Sequence, residues 1–567
     1  MLIIFDNSFV YSFNEKNNLF SFSVFLLSSI GLVLLSFALF IKIADPLELI
    51  LDWKLSLAPG SLILNLWLEP PVRIYVKIYL FNIANPTEFL NGKEKLRVEE
   101  LGPFVYAEHL TNTNPVFNEN GTLTYIPKRT VKFVPEMSIS NPKLQAVTVP
   151  NIPYLGIASM IANSTMITNL AYLTLSKYLG SQPFLNLTVH EYLWGYDDPL
   201  VKIANRIVTS WIPFSKFGLL DRMYDEGNNR ITLRLTDNGL NVTDKGYLMQ
   251  YSIDNWNGSP GLEAWGYREA EFTEHPVRPE PEQRCKLIRG ATEGVLFPRN
   301  VSRDVVLQVY RKTFCRIMPV VFDKAGIADN GIPAYWYKLP ENVFETPDQN
   351  PAQACYCNPN ERKCLPKGLS DITPCYYNIP AAVSFPHFLG GDPKLTESID
   401  GLAPNKEDHG TTIILQPDLG MPMDVKTRIQ TNLVMKKIRY NTKITRFSEL
   451  TLPLFWAEVT MDGLPNYIVV LLYLVVYIIP VAQTGLMIIC FIIGTILLIY
   501  SIILFLLMKG ILRFDEYNKS KYSAIKIAPI VSKSHIVSLS RKNSIISAIN
   551  ISRKNSIIPT HKNFTNI

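Results

Sequence analysis

What this sequence lacks is catalytic apparatus. It contains no G-x-S-x-G, no H-E-x-x-H, no P-loop and no glycine-rich dinucleotide turn after a strand. Histidine is scarce, seven in 567 residues, and His109, His190, His275, His387 and His409 are scattered without metal-ligand spacing. Asp197 and Asp198 are adjacent, so in either regular structure they point apart; a turn before Pro199 suits them better than an acid/base pair. These absences argue against an enzyme and imply no cofactor and no metal. No repeat of solenoid or propeller period is present either.

Charge is missing from two long runs. Residues 17–41 carry none and are followed by Lys42, enough chain at about 1.5 Å per residue to span a bilayer core of about 30 Å. The competing reading is a signal peptide. The run is too long for one and no A-x-A site precedes Lys42, which favours an uncleaved signal anchor. Residues 467–508 are also uncharged, and as one helix would be roughly 60 Å long, about twice the bilayer core. That run is expected to break near Pro480 and Gln483, with residues 467–479 packing on the ectodomain or lying in the outer interface and a single span after them. A hairpin of two spans is the rival, but it would carry the basic tail to the outside. Residues 509–567 hold eleven Lys and Arg against only Asp515 and Glu516, a flank that belongs in the cytosol.

The division predicted is a cytosolic 1–18, a first span at 19–41, an ectodomain at 42–480, a second span at 481–508 and a cytosolic tail at 509–567. Net charge agrees. Of 55 basic and 49 acidic residues, removing the tail leaves 44 and 47, so the basic excess is all tail and nothing argues for nucleic acid. The tail repeats S-R-K-N-S-I-I at Ser540 and Ser552, each copy with an Arg three residues before a serine, Ser544 or Ser556. One reading is a cationic tail on anionic lipid that kinases release; the other is a quiet disordered repeat. Tyr522 to Ile525 fits a tyrosine-based signal for sorting adaptors.

Between the apolar runs lie six sequons, at Asn120, Asn163, Asn186, Asn241, Asn257 and Asn300, and six of the seven cysteines. Cys355, Cys357, Cys364 and Cys375 have the density of a zinc site, the reading a cytosolic protein would invite. In a glycosylated lumenal domain, with Cys285 and Cys315, they read as three disulfides out of roughly 15 connectivities. Cys357 to Cys364 closes a small loop over turn-forming residues, leaving Cys355 and Cys375 to reach Cys285 and Cys315 in either order. Cys490, inside the second apolar run, reads as an inert buried thiol.

The ectodomain reads as mainly β. Val72, Ile74, Val76, Ile78 and Leu80 alternate with polar or aromatic residues, as do Ile231, Leu233 and Leu235, and β-rich runs recur at 247–253 and 411–416. Residues 155–179, apolar and bounded by Pro153 and Gly180, read as helix in two pieces, most simply a core helix.

Several stretches together resemble the class B scavenger receptor family: Trp67 to Pro71, Phe81 to Asn85, Glu100 to Tyr106, His190 to Tyr196, Pro386-His387-Phe388 with Asp392-Pro393, and Gly401 to Asn405 with His409. The family includes the fatty-acid translocase, the high-density-lipoprotein receptor, lysosomal integral membrane proteins and insect sensory-neuron membrane proteins. The resemblance implies an α+β membrane protein, with two transmembrane helices flanking a large ectodomain of antiparallel β-barrel core, helical apex bundle and lipid tunnel. It implies the pairs Cys285–Cys355, Cys315–Cys375 and Cys357–Cys364, a structural role for residues 190–196, and a lipid contact near Lys177. The function implied is a scavenger receptor and lipid transporter that takes lipoproteins, lipids or other apolar ligands and passes sterols or fatty acids to the plasma membrane. The alternative is a trafficking or adhesion receptor that binds a protein partner and is sorted by its tail, on an endosomal or lysosomal membrane. Residues 269–283, acidic and proline-rich, depart from the family as an insertion that is either a surface loop or a modified ligand mouth, and the tail lacks an acidic dileucine signal.

Overall fold

A computed structural model describes residues 7–210, 212–225, 229–235, 250–268, 285–357 and 364–509. The chain divides into two units, Leu34–Ile492 and the chain ends, Met1–Val33 with Ile493–Ile567. Asn241, Tyr522, Ile525, Ser544, Ser556 and the 269–283 insertion lie outside the described residues, as do positions 247–249 of an expected strand.

Among the described residues two segments are long and apolar enough to cross a membrane: Ser21–Ala44, within helix α1 (Asn7–Ala44), and Asn466–Met508. In the unit of the chain ends they touch at small residues. A Cβ on Gly31 would fall 2.9 Å from the Leu498 side chain and 3.0 Å from the Gly494 carbonyl, and the Ser501 hydroxyl donates to the Val24 carbonyl at 3.0 Å.

The expected break at Pro480 is corrected. The chain stays helical from Asn466 through Met508, with a π turn at Leu474–Ile478 immediately before the proline. A π turn widens the helix by one residue, which relieves the clash of a proline ring with the preceding turn and leaves no i→i−4 bond for its missing N–H to make. The first part of this helix packs on the ectodomain. Ile468 and Leu472 are buried with Ile332, Ala334 and Met423, and the Tyr477 hydroxyl donates to the Gly331 carbonyl at 3.0 Å.

In the larger unit, helices α2 (Pro46–Lys54) and α3 (Leu62–Leu68) precede strand β1 (Ile74–Ile83), and α4 (Pro86–Leu90) leads to the long strands β2 (Leu96–Phe117) and β3 (Thr122–Phe133). A two-stranded sheet, β4 (Ala146–Pro150) with β5 (Phe184–Thr188), frames α5 (Ile152–Met160) and α6 (Met166–Tyr178); α7 (Val189–Trp194), α8 (Pro199–Ile207) and α9 (Leu219–Tyr224) follow. The remaining strands are β6 (Ile231–Arg234), β7 (Ile253–Trp256), β8 (Leu307–Arg311), β9 (Arg316–Ile327), β10 (Pro333–Lys338), β11 (Ser370–Asp371), β12 (Ala381–Ser384), β13 (Ile399–Asp400), β14 (Thr412–Gln416), β15 (Met421–Val434) and β16 (Thr451–Met461).

The main sheet runs β7-β6-β3-β2-β1-β16-β15-β14-β10-β9-β8, antiparallel throughout that path. Its two ends are joined. Gly290 and Ala291 exchange backbone hydrogen bonds with Ile253 of β7, and Thr292 bridges to Val309 of β8. Among the described residues the closed path leaves no long edge for a foreign strand. Alternation in β1 sends Val76, Ile78 and Leu80 into the core. Each such aliphatic side chain contributes about 1.5–3 kcal/mol on full burial.

The stretch read as helix in two pieces is α5 and α6. Asn151 caps α5 by accepting from the Tyr154 N–H, and Thr165 caps α6 by accepting from the Thr168 N–H. Residues 190–196 form α7 and its end, held by a capping box between Thr188 and Glu191, with Tyr192 and Leu193 buried. Asp198 caps α8, accepting from the Leu200 and Val201 N–H groups, while Asp197 faces Lys202 at 2.8 Å. The cysteines pair as Cys285–Cys355, Cys315–Cys375 and Cys357–Cys364, and Cys490 is a buried free thiol.

Candidate functional site

Period-two geometry turns one face of each strand inward, and here the inward faces line a cavity. Ile74 and Val76 of β1, Phe455, Ala457 and Val459 of β16, and Val425, Thr427, Ile429 and Thr431 of β15 all point into it. The space is about 1540 Å³, open solvent at its mouth included. Phe297, Met318 and Val320 belong both to its wall and to the core cluster around Cys285 and Cys315, so the disulfide knot backs one side. A smaller space of about 570 Å³, bordered by Ile152, Phe217, Leu219 and Tyr376, shares Met223 and Thr431 with the first. Those two side chains form a common wall between the two spaces.

The wall is mainly apolar, broken by threonines such as Thr427 and Thr431 and by a group of charged residues. Glu108 meets Arg129 at 3.5 Å and accepts from the Tyr224 hydroxyl at 2.7 Å, and Glu293 accepts from the buried Tyr125 hydroxyl. Burial first, then the Glu108 charge, pushes the Tyr224 hydroxyl far above the ordinary phenol range, so it stays a donor. Arg129 and Arg311 oppose that shift, which puts both guanidinium groups within electrostatic reach of Tyr224. Such a space suits a guest with a long apolar body and a polar end.

On the face of the sheet away from the cavity, motifs far apart in sequence come together. The His387 Nδ1 accepts from the Ala403 N–H at 3.1 Å, which leaves the proton on Nε2, aimed at Glu100 at 2.6 Å. Trp456 Nε1–H donates to the same Glu100 oxygen at 2.8 Å, and the His409 ring stacks on His387 with centroids 4.6 Å apart. Burial alone would raise the Glu100 pKa; the hydrogen bonds from His387 and Trp456 outweigh it and hold the carboxyl below its usual range. His409 is pulled down to about 4, by burial first and by His387 second, and its Nδ1 accepts from the Asn405 N–H at 3.0 Å.

This has a consequence in acid. A histidine whose folded pKa lies below its unfolded value near 6.5 contributes stability fully present above that value and lost as pH falls toward 4. The loss from His409 is expected to reach about 2 kcal/mol by pH 5. Thermal unfolding of purified protein from pH 7.5 to pH 5 should show a falling Tm that His409→Gln flattens. Equal slopes in both proteins would remove the histidine from the explanation.

The sequence-derived site residues are dispersed. Asn120, Asn163, Asn186, Asn257 and Asn300 are all exposed. Lys177 is exposed in the last turn of α6 and lines neither chamber. The residues that build the cavity were not singled out from sequence. The signal was there in the alternation Val425, Ile429 with Thr427 and Thr431, but threonine blurs an apolar count.

The CD36 family model matches residues 23–505. The chain is 30% identical over 402 residues to the scavenger receptor class B member 1 of Sus scrofa, covering 70% of this chain and 72% of that one. It is likewise 30% identical over 390 residues to the lysosome membrane protein 2 of Mus musculus, covering 68% and 74%. With terminal apolar helices, a closed antiparallel sheet and three disulfides in place, the chain belongs to the CD36 family, the class B scavenger receptors, as a membrane protein.

Proposed function

We propose that this receptor takes apolar lipids from a carrier and passes them through the two chambers toward its own membrane, without enzymatic chemistry. The observation that carries this is the cavity itself, walled by the inward faces of β1, β15 and β16, with a second space on the other side of Met223 and Thr431. A lined apolar path lets a sterol or fatty acid leave its carrier without exposure to water, which costs about 0.8 kcal/mol for each methylene. In the same proposal the first span is 19–41 and the second 481–508, both termini are cytosolic, the exposed sequon asparagines carry glycans, and the receptor works at the plasma membrane. The tail serines and Tyr522 would meet kinases and sorting adaptors there.

The test is uptake of labelled sterol ester or fatty acid by cells displaying the chain. Ala457→Trp fills the chamber from β16, and Thr431→Trp fills the junction. Each is expected to lower uptake about tenfold while surface display is kept. Undiminished uptake with both, at normal display, would overturn the tunnel reading. It would favour the second reading, a trafficking or adhesion receptor, to which the exposed Met166, Ile167 and Tyr178 of α6 would offer a protein contact.

A further inference from the structure

Helix α2 presents to the outside a stripe that a soluble surface does not explain. Leu49, Ile50 and Trp53 are 56%, 53% and 68% exposed, and with Pro46 they fall at i, i+3, i+4 and i+7, one face of a helix. The opposite side is pinned to the ectodomain. Arg299 pairs with Glu48 at 2.9 Å and with Asp52, and the Tyr251 hydroxyl donates to the Leu55 carbonyl at 2.9 Å. The stripe therefore points away from the folded domain by construction, and the ion pairs fix which way the helix can roll.

Its place along the chain says what it meets. Only Asp45, in a left-handed conformation, separates α2 from α1, whose exposed Leu39, Phe40 and Ile43 carry apolar surface up to that turn. Gln483 ties the same corner from the other apolar helix. Its side-chain oxygen accepts from the Leu47 N–H at 3.0 Å and its amide donates to Asp45 at 2.9 Å. The uncharged run 17–41 ends at Lys42, just before Asp45, and residues 484–508 are by themselves long enough to cross a bilayer core, which puts the corner of Asp45 and Gln483 where both helices leave hydrocarbon. A helix that starts there, with a tryptophan beside a lysine on its outer side, has the composition of an interfacial helix. The Lys54 Nζ lies 4.0 Å from the centre of the Trp53 ring.

We propose that α2 lies in the headgroup layer of the membrane that the chain crosses, with Leu49, Ile50 and Trp53 among the lipids, so that the ectodomain is held to the bilayer by a third contact besides its two spans. The occupant is lipid, not a second copy of the chain. The contact is independent of whether lipids move through the cavity.

The full chain, in a Cys490→Ala background, is reconstituted in phosphatidylcholine vesicles containing headgroup-nitroxide lipid, and an environment-sensitive fluorophore is attached in turn at Leu49→Cys, Ile50→Cys, Trp53→Cys and Asp52→Cys. Leu144→Cys, at a side chain 81% exposed on the ectodomain, is the reference. Labels at 49, 50 and 53 are expected to be quenched at least about twofold more than those at 52 and 144. Two results would overturn the proposal: quenching at 49, 50 and 53 no greater than at 144, or fluorescence that follows the protein-to-lipid ratio rather than the nitroxide content, which would put a second copy on the stripe. Three labelled positions on one face guard against the failure of any single variant to fold.

Discussion

Gly401→Ala is expected to cost the ectodomain more than about 4 kcal/mol and to leave most of the chain unfolded or retained before it reaches the surface. Gly401 has φ +95, where a side chain is strained in any case, and a Cβ there would lie 1.9 Å from the Val98 carbonyl oxygen. That carbonyl cannot retreat. Ile399 and Asp400, just before the glycine, form the β13 ladder with Leu96 and Arg97 of β2, so the close approach is part of the sheet. Gly463→Ala is the matched control: φ +67, but nothing within 4 Å. It should cost only about 1 kcal/mol, the price of a left-handed residue without a clash. Thermal unfolding of the two variants decides the matter, and similar Tm values for both would mean that β13 moves freely.

Glu458→Gln should be the most damaging isosteric change in the sheet, about 3 kcal/mol. Glu458 sits on β16 opposite Lys77 of β1 and Arg428 of β15, meeting the first at 2.7 Å and the second at 2.6 Å. Burial alone would raise its pKa; the hydrogen bonds from Lys77 and Arg428 win, and the carboxyl is held low. Since its folded pKa lies below the unfolded value near 4.5, its contribution is present above that pH and lost on further acidification. Removing the charge leaves two half-buried cations facing an amide. The double change Glu458→Leu with Arg428→Met should be milder than Glu458→Gln, because it leaves one cation rather than two and Lys77 is a quarter exposed. Urea unfolding of Glu458→Gln, the double variant and its two single variants, Glu458→Leu and Arg428→Met, measures this order; a double variant as weak as the sum of its single changes would show no coupling.

How far the sequence carried depended on whether the signal was local. The 72–80 alternation became β1 because a strand with one buried face writes its period directly. The helices α5 and α6 were legible from their apolar content and bounding Pro153 and Gly180, and their caps at Asn151 and Thr165 set the starts. Helix α2 was not read: nine residues with charges at Glu48 and Asp52 look like loop until Asp45 is seen capping it and Arg299 neutralising it. The uninterrupted helix at Pro480 escaped as well, because a π turn has no sequence mark. The cavity and the Glu100, His387, His409 and Trp456 group are products of long-range pairing. Glu100, His387 and His409 were visible in separate motifs and Trp456 in none, and nothing in a linear sequence says that residues 100, 387, 409 and 456 share one place.

Strand β1 lies between β2 and β16, and the partners Lys77 and Glu458 are 381 residues apart. At about 5–20 residues per second a ribosome needs roughly 20 to 80 seconds to deliver the second after the first. Throughout that interval one edge of β1 has no native neighbour, and every foreign strand nearby is a competitor for it. The cell must shield a half-made receptor for the whole of its synthesis. A premature stop anywhere before Thr451 therefore does not release a shortened receptor; it releases a sheet whose middle strand has been left open, a substrate for disposal.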